Sequence, residues 1–148
     1  MSTVQQVVRR PLWAIVGVAA ILVAGCAGQS RTSDSATSLR LSGANQVPPV
    51  SSPASGTSTI TVGPDRSVTG SVTTTGMVGT AAHIHQAAAG QNGPVAIPLT
   101  KTSENVFSVP PGTRLTDAQW DAYKAGNLYI NVHSDANKGG QIRGQLRP

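Results

Sequence analysis

Between Thr57 and Val62 small polar and apolar residues alternate, so that Ser58, Ile60 and Val62 fall on one face and Thr57, Thr59 and Thr61 on the other. A period of two is the signature of a half-buried strand, because successive strand side chains point to opposite faces. Gly63-Pro64-Asp65 then turns the chain. Val68–Thr74 repeats the pattern, with Val68 and Val72 inward and Thr69, Ser71 and Thr73 outward, and the two runs predict a hairpin. Further strands are predicted at Leu39–Leu41, Ala82–His85, Val95–Leu99, Val106–Val109, Leu128–His133 and Ile142–Leu146. Leu128, Ile130 and Val132 share a face, as do Ile142 and Leu146, which leaves Gln141, Arg143, Gln145 and Arg147 to face solvent. Pro98 has no backbone donor, so its strand is expected at a sheet edge or a bulge.

One segment leaves this period. Thr116-Asp117-Ala118-Gln119 fits a capping box, and Leu115 and Trp120 stand where a hydrophobic staple needs them. Gly126 suits the C-terminal cap. A short helix is therefore predicted over Asp117–Ala125, with Asp117 and Asp121 favouring its positive end and Trp120 covering an open end or face of the sheets. Many short strands and one helix predict an all-β fold, an antiparallel β-sandwich or Greek-key barrel.

The chain ahead of Leu39 is different. Residues 1–26 carry Arg9 and Arg10, an apolar run from Leu12 to Ala24, and Gly25-Cys26, the layout of a secretion signal. The run is shorter than the roughly 20 residues of a stable membrane-spanning helix. Val23-Ala24-Gly25-Cys26 resembles the lipobox of bacterial lipoproteins, in which the cysteine sulfur receives a diacylglyceryl group and becomes the mature N-terminus. The resemblance implies lipidation at Cys26, the only cysteine in the chain, and two or three acyl chains hold a protein on a membrane durably. The alternative is an ordinary secretory signal with an incidental cysteine. Pro11-Leu12-Trp13 suits twin-arginine export poorly, so Sec export is expected. Ala27 is not the aspartate associated with inner-membrane retention in some diderm bacteria, so either the cell membrane or an outer membrane is allowed. Gln29–Ser38 is small and polar and reads as a tether. The expected organisation is a signal peptide over 1–25, a lipidated N-terminus and tether over 26–38, and one folded domain over 39–148.

Composition narrows the function. The chain has 148 residues, room for one domain, and its 16 Gly and 10 Pro with 11% charged residues suit strands and turns. Its net charge is +5, of which Arg9 and Arg10 lie in the part expected to be removed, and the remaining excess is too weak for nucleic-acid binding. A lone cysteine makes neither an intramolecular disulfide nor a thiolate metal site. Gly90-Gln91-Asn92-Gly93 and Lys138-Gly139-Gly140 lack the P-loop ending and read as turns. No G-x-S-x-G nucleophile elbow is present. Arg143 and Arg147 read as a solvated strand face, or as a stripe that meets an acidic glycan or lipid headgroup.

Several segments in order resemble the CHRD domain, the module named after chordin. They are Leu41-Ser42-Gly43-Ala44-Asn45-Gln46-Val47-Pro48-Pro49-Val50, Ala82-His83-Ile84-His85, Gly90-Gln91-Asn92-Gly93-Pro94-Val95, Gly126-Asn127-Leu128-Tyr129-Ile130-Asn131-Val132-His133, and Gly139-Gly140-Gln141-Ile142-Arg143-Gly144-Gln145-Leu146. Gln46 and Gln141 depart from the family in standing where an acidic residue is usual. The resemblance implies an immunoglobulin-like β-barrel with limited similarity to copper/zinc superoxide dismutases. It implies no established biochemical activity.

All three histidines lie in those segments. His83 and His85 share a strand face, about 7 Å apart along the chain, with Ile84 pointing into the core. His133 is opposite in phase to Leu128, Ile130 and Val132. Imidazole suits copper and zinc, and the His-x-His pair is similar to the copper-binding strand of superoxide dismutases. The alternative is that these are structural histidines donating to carbonyls or to Asn131 and Asp135. A dismutase needs a fourth histidine on copper and a second site, and the chain has no histidine to spare. Two functions follow from the residues. The first is a non-enzymatic, lipid-anchored cell-envelope domain whose partners are the membrane and an envelope protein or glycan. The second is a copper- or zinc-binding lipoprotein using His83, His85 and His133.

Overall fold

The computed structural model describes residues 38–148, so the readings made for the signal peptide, Cys26 and nearly all of the tether lie outside the described residues. Eleven strands and one helix follow in chain order. Strand β1 (Leu39–Ser42) runs into a single 3-10 turn, Gly43–Asn45, followed by β2 (Ser55–Ser58), β3 (Thr61–Val62), β4 (Val68–Thr69) and β5 (Ser71–Thr75). Next come β6 (Ala81–Gln86), β7 (Val95–Pro98), β8 (Thr100–Ser103) and β9 (Val106–Ser108). Helix α1 (Asp117–Lys124) precedes β10 (Leu128–His133) and β11 (Ile142–Leu146).

Nine strands form one antiparallel sheet in the order β7-β6-β10-β11-β1-β2-β5-β9-β8. Its two outermost strands are consecutive in the chain, separated by Leu99 alone. The single arm Val95–Ser103 therefore lies along β6 at one end of the sheet and along β9 at the other. Leu99 N donates to Ala82 O at 3.0 Å and Lys101 Nζ to Gly79 O at 2.7 Å, which holds the arm across the gap. The sheet is rolled into a nearly closed barrel, the all-β architecture that the alternation predicts. Pro98 ends β7 on the outermost position, where a missing donor is tolerated.

Alternate residues of the strands fill the barrel. Leu41, Val72, Ile84, Phe107, Leu128, Ile130, Val132 and Ile142 are each at most 1% exposed and belong to one hydrophobic cluster. Burying side chains of this size stabilises a fold by roughly 1.5–3 kcal/mol each, before chain entropy is counted against it.

The predicted hairpin is present but kinked. β2 pairs with β5 in the barrel, while β3 and β4 continue as a separate two-stranded ladder around Gly63-Pro64-Asp65. At the break Ser58 Oγ accepts from Ile60 N (3.0 Å) and Thr59 Oγ1 from Ser71 N (3.2 Å), side-chain bonds that replace ladder bonds. Gly70 opposite has φ +107°, and a Cβ there would stand 2.4 Å from Thr59 O. Strand β8 was not predicted, because Thr100–Ser103 is exposed at every position and carries no alternation.

The face of β11 is a correction. Arg143 is 2% and Gln141 9% exposed, and Gln145 is half-buried. They do point away from the barrel interior, but loops cover them; only Arg147 faces solvent as expected.

Helix α1 forms as its caps dictate. Gln119 N donates to Thr116 Oγ1 at 3.3 Å and Thr116 N to Gln119 Oε1 at 3.0 Å. Trp120 is half-buried, packs on the core and stacks on Tyr123 with 5.7 Å between ring centroids. Asp117 pairs with Arg66, and Asp121 pairs with Lys124 at 2.8 Å, exposed pairs of small energetic weight. The barrel, rather than the helix, carries the stability. Ile130→Ala is expected to cost about 2–5 kcal/mol through lost burial and the cavity left behind, and Thr116→Ala about 1 kcal/mol, both read from urea denaturation midpoints.

Candidate metal centre

Strand pairing brings the histidines together. β6 and β10 are antiparallel, with His85 opposite Tyr129, His83 opposite Asn131, and His133 opposite Ala81. His83 is thus the diagonal neighbour of His133, within reach of a long side chain. Ile84 points inward at 1% exposure, which turns His83 and His85 outward together. Ring centroids lie 5.6 Å apart for His83 and His85, 5.0 Å for His83 and His133, and 6.3 Å for His85 and His133. One ring nitrogen from each lies within 4.8 Å of the other two.

Hydrogen bonds set the tautomers. His133 Nδ1 is 2.8 Å from Lys138 O, which only accepts, so Nδ1 carries the proton and Nε2 the lone pair. His83 Nδ1 lies 3.1 Å from that Nε2 and must donate to it. His85 Nδ1 donates to Gly93 O at 2.9 Å, which leaves its Nε2 as a lone pair as well. That Nε2 is buried and has no hydrogen-bond partner. Burial, and behind it the neighbouring imidazoles His133 and His85, hold His83 below the ordinary 6.5. Burial does the same to His85, opposed by its bond to Gly93 and reinforced by His133 and Arg143. His83 and His85 are therefore held toward the neutral form, the state in which imidazole donates to a metal.

A polar layer supports it. Tyr129, 2% exposed, stacks on His85 at 4.9 Å and 10°, and the Arg143 guanidinium lies 3.5 Å from the centre of the Tyr129 ring. The Tyr129 hydroxyl accepts from Gly93 N at 3.2 Å. Arg143 donates to Asn92 Oδ1 (3.2 Å) and Gln91 O (2.8 Å), which ties the loop between β6 and β7 over the sheet. Asn131 accepts from Gln46 Nε2 at 2.7 Å and donates to Gly139 O at 3.3 Å, which ties down two more loops. Gly140 has φ +127°, and a Cβ there would lie 2.3 Å from Asn131 Oδ1, so only glycine lets that loop close on the layer.

The sequence-predicted histidines thus converge. Two of them donate to backbone carbonyls, as the structural alternative expects, yet neither Asn131 nor Asp135 is a histidine partner; Asn131 serves the loops instead. Cys26 lies outside the described residues. Sequence reasoning missed Tyr129, Asn131, Gln46 and Arg143 as parts of this layer, although Tyr129 and Asn131 share the phase of His133. No Asp or Glu among the described residues joins the three histidines.

Three convergent imidazoles, of which His85 and His133 are oriented by backbone carbonyls and His85 presents a buried lone pair without a donor, form a donor set that fits copper or zinc. The carbonyl bonds are the second shell that such ligands ordinarily have. No curated protein and no solved structure matches the chain at a significant level. The CHRD domain family matches residues 37–146. That span covers the whole barrel with its histidine layer, and the chain belongs to the CHRD domain family.

Proposed function

We propose that this protein is a non-enzymatic CHRD binding module, anchored in the cell envelope by acylation of Cys26, that holds one copper or zinc ion on His83, His85 and His133. The observation that carries the metal reading is the buried Nε2 of His85, which faces two further imidazoles and has no hydrogen bond. A buried polar atom left without a partner costs about 1–3 kcal/mol, and a metal ion would remove that cost. Binding asks one change of the cluster: the proton on His83 Nδ1 must leave for its nitrogen there to act as a ligand. A fourth position is left open, so the ion would be held by three protein ligands. No Asp or Glu among the described residues shares the ligand set, so the three imidazoles alone would hold the ion. Family membership supports a binding or structural module. The anchor reading rests on Val23-Ala24-Gly25-Cys26 and the apolar run before it.

Titration of the folded chain with copper or zinc is expected to saturate near one ion per chain. His85→Asn should weaken uptake more than about 100-fold, beyond the effect of losing an outer-shell group, while circular dichroism stays unchanged. A folded chain that takes up neither ion at roughly micromolar concentration overturns the metal reading. The anchor is tested by expression in a bacterial host with labelled palmitate: the unaltered chain should carry label in the membrane fraction, and Cys26→Ala should not.

The pH dependence has a fixed sign. His83 and His85 are held below 6.5 in the fold, so between their depressed values and about 6.5 the unfolded chain binds more protons. Stability from these groups is complete above that window and is lost as pH falls through it. Metal-free protein should show a lower urea midpoint at pH 5.5 than at pH 7.5, and the difference should shrink in the His83→Asn, His85→Asn double variant.

A further inference from the structure

Beside the histidine layer, on the outer face of β1 and β11, a cleft of about 460 Å³ is lined by Arg40, Asn45, Gln46, Arg143, Gln145 and Arg147, among others. Its position follows from strand register. β1 and β11 are antiparallel neighbours, with Ser42 opposite Arg143, and Leu41 and Leu146 point into the core. Arg40 on one strand and Arg143, Gln145 and Arg147 on the other therefore turn outward onto the same face.

Three arginine side chains thus line one cleft, and none of them is in an ion pair. The ion pairs among the described residues are Arg66 with Asp117, Arg114 with Asp65, and Lys124 with Asp121, and none involves the three arginines of the cleft. No acidic residue lines the cleft. Arg143 sharpens the point, because at 2% exposure it is a buried cation whose polar contacts are all neutral: Asn92, Gln91, Ala88 and Gln145. Buried charges are ordinarily paired, since the loss of hydration is otherwise uncompensated. Arg40 and Arg147, by contrast, are exposed and free to move onto a ligand.

We infer that this cleft is an oxyanion site that takes the phosphate group of a small hydroxylated ester, of the glycerol phosphate class. Arginine's planar fork suits phosphate bidentately. A phosphate monoester carries nearly two charges, which the exposed Arg40 and Arg147 match while the buried Arg143 adds a third positive charge from beneath; a carboxylate carries only one. The amide nitrogens of Asn45, Gln46 and Gln145 are engaged within the fold, and the side-chain oxygens of Asn45 and Gln46 are left at the cleft to accept from hydroxyls. The volume suits a small ligand. The ester is either free in solution or the monoester headgroup of a lysophosphatidic-type lipid, which keeps a glycerol hydroxyl, and Leu39 and Arg40 place the cleft at the start of the folded domain.

The test reads the arginine Nε–H resonances of the full chain at low salt. Glycerol phosphate should shift Arg40, Arg143 and Arg147 together, glycerol alone should not, and Arg40→Gln with Arg147→Gln should weaken binding at least about tenfold, the scale of losing charge-assisted hydrogen bonds. Both substitutions are at exposed positions, so the fold is expected to survive them. Micelles doped with lysophosphatidic acid that reproduce the shifts, where lysophosphatidylcholine micelles, whose phosphate is a diester, do not, support the same site with a lipid source. Shifts with the free ester alone support it with a soluble one. No shift at millimolar glycerol phosphate, or shifts that persist in the double variant, overturns the inference. Metal uptake by the histidines is read separately and can fail without affecting this outcome.

Discussion

Strand β10 is buried on both of its faces, and the organisation of the domain follows from that. Leu128, Ile130 and Val132 are packed inside the barrel, while Tyr129 and Asn131 on the opposite face are as thoroughly buried under loops. An apolar inner face needs only shape and volume. A polar outer face needs each buried donor and acceptor matched, and a partly matched network is costly. Asn131 and Arg143 meet that requirement by binding loop carbonyls and amides, so the loops are held because the strand demands partners. His85 Nε2 is the place where the demand goes unmet.

What the sequence makes legible follows the same division. Alternation reports which residues share a face, and it located the inward sets on β6, β10 and β11 and the outward phase of the three histidines. The capping box located α1 because its hydrogen bonds are local in the chain. Alternation does not report what lies on top of a face. Arg143 therefore read as solvated, although Asn92 and Gln91, some fifty residues away, cover it. β8 escaped notice for a related reason: it is made by pairing with β9, and its exposed residues carry no trace of that in their order.

The histidine cluster and the arginine cleft share a wall. The Tyr129 ring touches both, stacked on His85 and with the Arg143 guanidinium 3.5 Å from its centre, so one aromatic side chain links the two. Movement of the guanidinium toward the cleft changes what the ring rests on, and so what His85 rests on. The phenol is also fixed at its hydroxyl by Gly93, the same residue whose carbonyl orients His85. One glycine thereby aligns both the ring and the imidazole.

The arm Val95–Ser103 has a consequence beyond the interior it encloses. An open sheet of nine strands would present two rows of unpaired amides and carbonyls, each a template for a neighbouring molecule. Here one continuous segment occupies both outer positions, and Pro98 removes one donor from it. A second copy of this domain would therefore meet a single bent segment, its donor row broken at Pro98, in place of two free strand edges.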